Sequence, residues 1–328
     1  MRISGQHDRD AHGTVKYNPD MILCLGTTPT VQRSMTFERF EVDAVNRSAQ
    51  VQEYASGKSP NVARVLKALG ADPLAVGFAG GDRGRFLLDD LKQAGIQSDF
   101  VTVAAATRLC TTIIDNATGT ATELVEESLP IEPAAWDELD RRLRALLPKS
   151  RTWIFSGSLP PGAPQDFYAR WLPLARDCGA RLILDARGEP LRVAMRYPGF
   201  IAKLNRDELA ATLDRPLDTP DALREATREI TPEGGAAIVT MGAQGALASD
   251  GKHVWRLTPP KVKAVSAVGS GDAFAAGLAL GLLRGQPLPE SLALASACGA
   301  ANAMTALAGH LDPQNVERLV LDAVVRAI

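Results

Sequence analysis

From Thr152 onward the chain alternates short apolar runs with helical stretches, and this alternation restricts the fold more than any other feature. The runs Thr152–Ser156, Arg181–Asp185, Phe200–Lys203 and Ala236–Thr240 have the length and composition of buried strands. Helical spacing falls at Phe167–Cys178, Asp207–Leu213, Ala222–Ile230, Gly271–Leu283 and Glu290–Leu307. Strands joined through helices pair in parallel, and a parallel sheet needs helices over both faces. The expected fold class is therefore α/β, with a mostly parallel sheet covered on both sides.

The same reading extends upstream. Met21–Leu25 is a first strand stopped by Gly26. Asn61–Gly70 reads as a helix with an Asn cap and a terminal Gly, Leu74–Phe78 as a strand, and Gly84–Gln93 as a helix closed by Gly95. Two stretches, about 30–58 and 100–125, break the pattern. Exposed strands are expected within Arg39–Gln52, and further strands at Phe100–Val103, Cys110–Asp115 and Ala121–Val125. Together they are expected to form a small separate sheet that acts as a lid.

With 328 residues, the chain fits one large domain with an appendage as well as two domains, at about 100–200 residues each. A formal net charge of −2 gives no support to a nucleic-acid or anionic-membrane surface. The longest apolar run, near Ala273–Leu283, is too short to span a bilayer. Residues 1–20 lack the apolar core of a secretory signal and are expected to be a disordered lead-in. Cys24, Cys110, Cys178 and Cys298 are dispersed, as are the four histidines, so the reading is a reduced, cytoplasmic protein without a zinc site.

The segment most suggestive of chemistry is Val265–Gly277, VSAVGSGDAFAAG. Gly269, Ser270 and Gly271 precede a small-residue helix that opens near Asp272. Two glycines around one residue let successive N–H groups face one point, and a helix N-terminus adds its positive dipole end. An Asp beside such a pocket can orient a hydroxyl and accept its proton. The same residues also read as an ordinary helix cap after a glycine loop. Gly57-Lys58-Ser59 is not the end of a P-loop, because Gln52 stands where a Gly is required, and no GxGxxG supports a dinucleotide site.

Three weaker constellations accompany it. Asn205 and Glu208, three apart at a helix start, suit Mg²⁺ held mainly through water, but equally form a capping box. Thr240–Gly245, TMGAQG, could bring backbone amides to a nucleotide phosphate, or be a hairpin turn. Ser156–Gly162, SGSLPPG, is a stiff turn after a strand, where α/β sheets hold ligands.

Taken together, these segments resemble the ribokinase-like (PfkB-type) carbohydrate kinases, in their 1-phosphofructokinase/tagatose-6-phosphate kinase branch. Val268–Gly277 is the most specific match; SGSLPPG, KLNRDEL, VTMGAQGAL, TRLCTTII, ATELVE and AGHLDP add to it. The resemblance implies a ribokinase-like three-layer sandwich with a β-lid over residues 21–328, and a cytoplasmic kinase using ATP and Mg²⁺. By position, Asp272 becomes the base, and Gly269, Ser270 and Gly271 the anion hole. Asn205 and Glu208 would organise Mg²⁺ and the phosphates, assisted by Asp185. Thr240, Gly242 and Gly245 would lie along the nucleotide, with Asn302 near the adenine. Gly57, Lys58 and Asn61 match the sugar-binding GGKGxN motif, and Arg108 an arginine that reaches a substrate phosphate. Many relatives pair through their lids, which implies a homodimer.

The sugar half departs from the pattern. Gln32 stands where the family's NPAxD motif ends in Asp, and Ser56 and Ser59 replace two glycines of GGKG. The implied acceptor is a sugar phosphate. Alternatives are an unphosphorylated sugar or nucleoside as acceptor, and a non-catalytic sugar or nucleotide sensor.

Overall fold

The computed structural model describes residues 20–328. All but the last residue of the expected lead-in thus lie outside the described residues. In chain order the strands are β1 (Met21–Gly26), β2 (Thr30–Phe37), β3 (Gln50–Ser56), β4 (Asp72–Gly80), β5 (Gln97–Val103), β6 (Arg108–Asp115) and β7 (Thr120–Val125). There follow β8 (Thr152–Ser156), β9 (Arg181–Asp185), β10 (Ile201–Asn205), β11 (Ala236–Thr240), β12 (Ala246–Ser249), β13 (Val254–Thr258) and β14 (Val324–Ala327). The helices are α1 (Lys58–Ala68), α2 (Gly81–Gln93), α3 (Pro133–Leu146), α4 (Leu172–Asp177) and α5 (Glu189–Ala194). After them come α6 (Arg206–Leu213), α7 (Pro220–Glu229), α8 (Ser270–Leu283), α9 (Leu288–Ala303) and α10 (Pro313–Leu319).

Ten strands form one sheet in the order β14-β13-β12-β11-β10-β9-β8-β1-β4-β5. The strands from β5 to β11 are parallel, and β12, β13 and β14 complete one edge antiparallel. The central strand β1 shows why both faces must be covered. Leu23 and Leu25 enter one core with Trp136 of α3, Leu191 of α5 and Leu209 of α6. Ile22 and Cys24 enter a second core with Val62 of α1, Leu278 of α8 and Leu292 of α9. Successive side chains of a strand point to opposite faces, so a strand apolar at every position is stable only between two helical layers. Each fully buried Leu or Ile contributes about 1.5–3 kcal/mol of transfer free energy.

The second sheet has four strands, β3-β2-β6-β7. It differs from the sequence reading in two respects. Residues 100–103 belong to β5 at the edge of the large sheet, where Val101 and Val103 pack into the core with Trp136. Residues 38–49 form no strand; β2 ends at Phe37, and the Asn46 side chain ties the intervening loop to the backbone of Glu41.

The first helix also differs. It opens at Lys58, with Gly57 as its cap at φ 91°, and Asn61 lies inside its first turn rather than capping it. A side chain on Gly57 would meet the Pro29 backbone at 2.9 Å, so glycine alone fits there. Freed from capping, the Asn61 side chain turns toward the cleft.

Candidate active site

The parallel strands deliver their C-terminal ends to one rim: Gly26 of β1, Ser156 of β8, Asp185 of β9, Asn205 of β10 and Thr240 of β11. Strand order reverses between β1 and β8, which opens the crevice where such sheets hold ligands. The two neighbouring loops are tied together, since the hydroxyls of Thr27 and Thr28 donate to the Ser158 carbonyl at 3.2 and 3.3 Å.

Asp272 occupies the first turn of α8. That helix is apolar on every side and packs between the sheet and α9, so its N-terminus is rigidly placed. Gly269 caps it at φ 79°, and a Cβ there would lie 2.8 Å from the Ala308 Cα. The Ser270 and Asp272 amides donate to the Ala267 and Gly269 carbonyls at 3.1 and 3.0 Å. The Asp272 carboxylate is 7% exposed and accepts a hydrogen bond from Asn61 Nδ2 at 2.7 Å. Burial raises its pKa above the ordinary carboxylate value, and the nearby Asp185 charge adds to this; Lys58, the Asn61 amide and Lys203 oppose it.

Beside it lies a buried charge cluster. Asp185 Oδ1 accepts from Lys58 Nζ at 2.7 Å, and Oδ2 from Lys203 Nζ at 2.6 Å. Burial alone would raise the Asp185 pKa, but Lys203 and Lys58 together hold it down at about 2. Burial likewise works against the Lys58 ammonium, yet Asp185 and then Asp272 more than compensate and raise its pKa. A side chain on Gly271 would come within 3.6 Å of Lys203 Nζ, so this ammonium borders the Gly269–Gly271 loop. The sequence reading gave Lys203 no role. Its signal was a lysine among the apolar residues of a strand, a position that requires a buried partner.

Among the nucleotide-side candidates, Asn205 and Glu208 form the full capping box. Asn205 Oδ1 accepts from the Glu208 amide at 2.8 Å, and Glu208 Oε2 from the Asn205 amide at 2.9 Å. Among the described residues no three His, Cys, Asp or Glu side chains converge as a metal cage. The donors fit a hard cation kept largely hydrated, with the second Glu208 oxygen outside the box, while both Asp185 oxygens are engaged by lysines. Thr240 pairs in register with Asn205, and Gly242 and Gly245 bound the turn from β11 into β12, so that turn is an antiparallel connection.

Asn302 of α9 is fully buried. Its amide donates to the Val268 carbonyl at 2.8 Å and accepts from the Gly309 amide at 2.8 Å. The side chain therefore ties the Gly269–Gly271 loop to the segment after α9.

On the four-stranded sheet, Gln32 Nε2 donates to Thr112 Oγ1 at 2.8 Å. Glu123 pairs in register with Thr112, which puts the two side chains on one sheet face. Desolvation raises the Glu123 pKa, and the Asp272 charge adds to this against Arg108, so the acid lies within electrostatic reach of Asp272. The terminal nitrogens of Arg108 donate to the Glu126 and Thr28 carbonyls at 3.1 and 3.2 Å, and its Nε is buried without a partner.

The structure thus brings Lys58, Asn61, Asp185, Lys203, Asp272 and the Gly269–Gly271 loop into one cluster. An acid held by an amide, beside two ammonium groups and a helix N-terminus, suits proton removal from a hydroxyl with negative charge developing nearby. Residues 19–314 match the model of the pfkB family of carbohydrate kinases. A tagatose-6-phosphate kinase of Staphylococcus epidermidis is 33% identical over 303 residues, spanning 91% of this chain and 97% of that protein. Phosphofructokinase-2 from Escherichia coli, solved with fructose-6-phosphate, superposes with a TM-score of 0.83 at 25% identity, covering 92% of this chain and 98% of that one. The tetrameric inhibited form of the same enzyme gives a TM-score of 0.82 at 26% identity, over 92% of this chain and 98% of that one. The chain belongs to the pfkB family of carbohydrate kinases, phosphotransferases with an alcohol group as acceptor.

Proposed function

We propose that this protein transfers the terminal phosphoryl group of ATP to a hydroxyl of a sugar phosphate of the fructose or tagatose type. The observation that carries the reading is the Asp272 carboxylate, buried at the start of α8 and held by Asn61 beside the Gly269–Gly271 loop. The relatives named for tagatose-6-phosphate and fructose-6-phosphate support the acceptor class.

Asp272 takes the proton of the acceptor hydroxyl as its oxygen forms a bond to the γ-phosphorus. The bond from that phosphorus to the bridging oxygen breaks, and ADP leaves with the electron pair. The proton passes from Asp272 to solvent. The Gly269–Gly271 loop and the dipole of α8 stabilise the charge on the transferring group, and Lys203 adds a full positive charge at that border. Each preorganised donor of this kind contributes about 3–4 kcal/mol to transition-state stabilisation. Magnesium, held through water by Asn205 and Glu208, would neutralise charge on the β- and γ-phosphate oxygens. Thr240, Gly242 and Gly245 line the nucleotide, and Asn302 acts indirectly by fixing the loop. The inner lid face, with Gln32, Arg108 and Glu123, closes over the sugar and excludes water.

A second reading is an unphosphorylated acceptor. It is favoured by Arg108, whose terminal nitrogens are both spent on main-chain carbonyls. Measuring ADP release with fructose and tagatose phosphates, and with the free sugars and nucleosides, decides between them. Turnover confined to the phosphorylated set supports the first reading, turnover confined to the others supports the second, and ligand-induced stabilisation without any turnover overturns both. We further propose that two copies pair through the outer face of the lid, where Met35, Phe37, Ile113 and Leu124 border an open groove.

A further inference from the structure

Ser56 and Ser59 flank Gly57-Lys58, and from sequence both add bulk at the sugar site. In the structure neither hydroxyl points at the cleft. Ser59 is fully buried and its hydroxyl donates back to the Cys24 carbonyl of β1 at 2.8 Å. Ser56 is 2% exposed and donates to Asn61 Oδ1 at 2.9 Å. Asn61, itself 4% exposed, passes the contact on from its other end, where Nδ2 donates to Asp272 Oδ2 at 2.7 Å.

We propose that Ser56 is a positioning residue that anchors the Asn61 amide, so that its N–H end stays on the Asp272 carboxylate. An ionised carboxylate only accepts, so it requires the amide nitrogen and leaves the amide oxygen pointing away from the base. That oxygen is buried, and without a donor it would carry the desolvation penalty of an unsatisfied polar group. The Ser56 hydroxyl supplies the donor. It also polarises the amide, which strengthens the hydrogen bond at the nitrogen end. Backbone geometry holds the three residues in line. Ser56 ends β3 paired with Thr30, Asn61 lies in the first turn of α1, and Asp272 in the first turn of α8. The Asn61 backbone is backed by Gly309, where a Cβ would come within 2.7 Å of the Asn61 Cα, so Asn61 cannot retreat as a whole.

The charged groups facing Asp272 are Lys58 from α1, Asp185 from β9, Lys203 from β10 and Glu123 from β7. None of them is altered by substituting Ser56, so a change in Asp272 titration after that substitution reports on the relay. The catalytic consequence rests on Asp272 being the base of the proposed kinase, but the relay itself does not.

The test follows Asp272 in the free protein by carbon-13 NMR of γ-labelled aspartate, its signal identified by its loss in Asp272→Asn. In Ser56→Ala the titration midpoint is expected to rise by about half a pH unit or more, because the donor favouring the ionised form is loosened. Ser56→Thr, which keeps a hydroxyl, is expected to titrate like the wild type. Asn61→Ala is expected to raise the midpoint at least as far, and adding Ser56→Ala to it should change nothing further. An unmoved midpoint in Ser56→Ala overturns the relay, as does a shift of equal size in the Asn61→Ala background. Should Ser56→Ala fail to fold, an unmoved midpoint in Asn61→Ala overturns it equally. A raised midpoint in a protein that phosphorylates no acceptor would uphold the relay while removing the kinase reading.

Discussion

The Lys203 ammonium donates to Asp185 Oδ2 at 2.6 Å, with both side chains 3% exposed. The second oxygen of the same carboxylate holds Lys58, which is a third exposed and opens to the cleft. One acid therefore balances two bases, one inside the protein and one partly exposed. Removing the acid leaves Lys203 charged and unpaired in the interior.

Asp185→Asn should therefore destabilise the fold by about 3–5 kcal/mol, the usual consequence of breaking a buried pair from one side. The sign of its pH dependence follows from the depressed pKa. Because the folded value, about 2, is below the ordinary 3.8, the Asp185 contribution is complete above the ordinary value and is lost as pH falls toward 2. Urea unfolding between pH 7 and pH 2 should show the wild type and Asp185→Asn converging at the acid end. Parallel curves would refute the assignment.

Asp272 has the opposite sign. Its folded pKa is raised chiefly by burial, so the stability linked to it is present below the unfolded value and lost as pH rises through the folded one. At neutral pH the ionised carboxylate is a net cost to folding that the proposed chemistry requires. Asp272→Asn should lower turnover by about 100-fold or more while its melting temperature stays at or above that of the wild type. Thermal melts at pH 7.5 paired with ADP-release rates check this. A variant that melts markedly lower would mean that the carboxylate is structural.

Much of this arrangement was legible in the sequence, and the remainder was hidden for identifiable reasons. Strands β1, β8, β9 and β11 could be read from apolar runs because a strand buried on both faces has no polar alternation to confuse it. The GSGD loop was legible because glycine flanking and a following small-residue helix are local features. The contact of Asn61 with Asp272 was not, because its amide looks like a helix cap until Gly57 takes that place through a positive φ. Lys203 and Asp185 are eighteen positions apart in sequence and adjacent only through the parallel register of β9 and β10, which pairs Lys203 with Asp185. From sequence the edge strand β5 reads as part of the smaller sheet, because its Phe100–Val103 segment carries the same β-rich composition as the strands of that sheet.

Gly269 offers a test of geometry separate from charge. Its φ of 79° disfavours any other residue, and a Cβ would lie 2.8 Å from both the Ala308 Cα and the Gly309 amide nitrogen. Gly269→Ala should lose about 1–3 kcal/mol of stability through strain. It should also lower kcat more than it raises the KM for ATP, since the loop is proposed to act on the transition state. Steady-state kinetics on the folded variant distinguish this from a simple binding loss, which would raise KM with kcat unchanged.

The face of the four-stranded sheet that bears Leu124 carries exposed apolar side chains. Leu124 is 54% exposed and Val51 49% exposed on the four-stranded sheet, with Val42 and Val45 of the adjoining loop at 88% and 81%. Such apolar side chains clustered on one face are more than a monomer's surface ordinarily scatters, and they border the groove lined by Met35, Phe37 and Ile113. If two copies bury this face against each other, a carboxylate at Leu124, among the apolar side chains that line the groove, must be desolvated. Leu124→Glu should therefore shift the protein to monomer in light scattering at micromolar concentration, with the monomer's fold unchanged by circular dichroism. Because β7 also carries Glu123 toward the cleft, the separated lids should close less firmly and the KM for the sugar substrate should rise. A wild type that is already monomeric, or a Leu124→Glu variant that remains dimeric, would rule out pairing through this face.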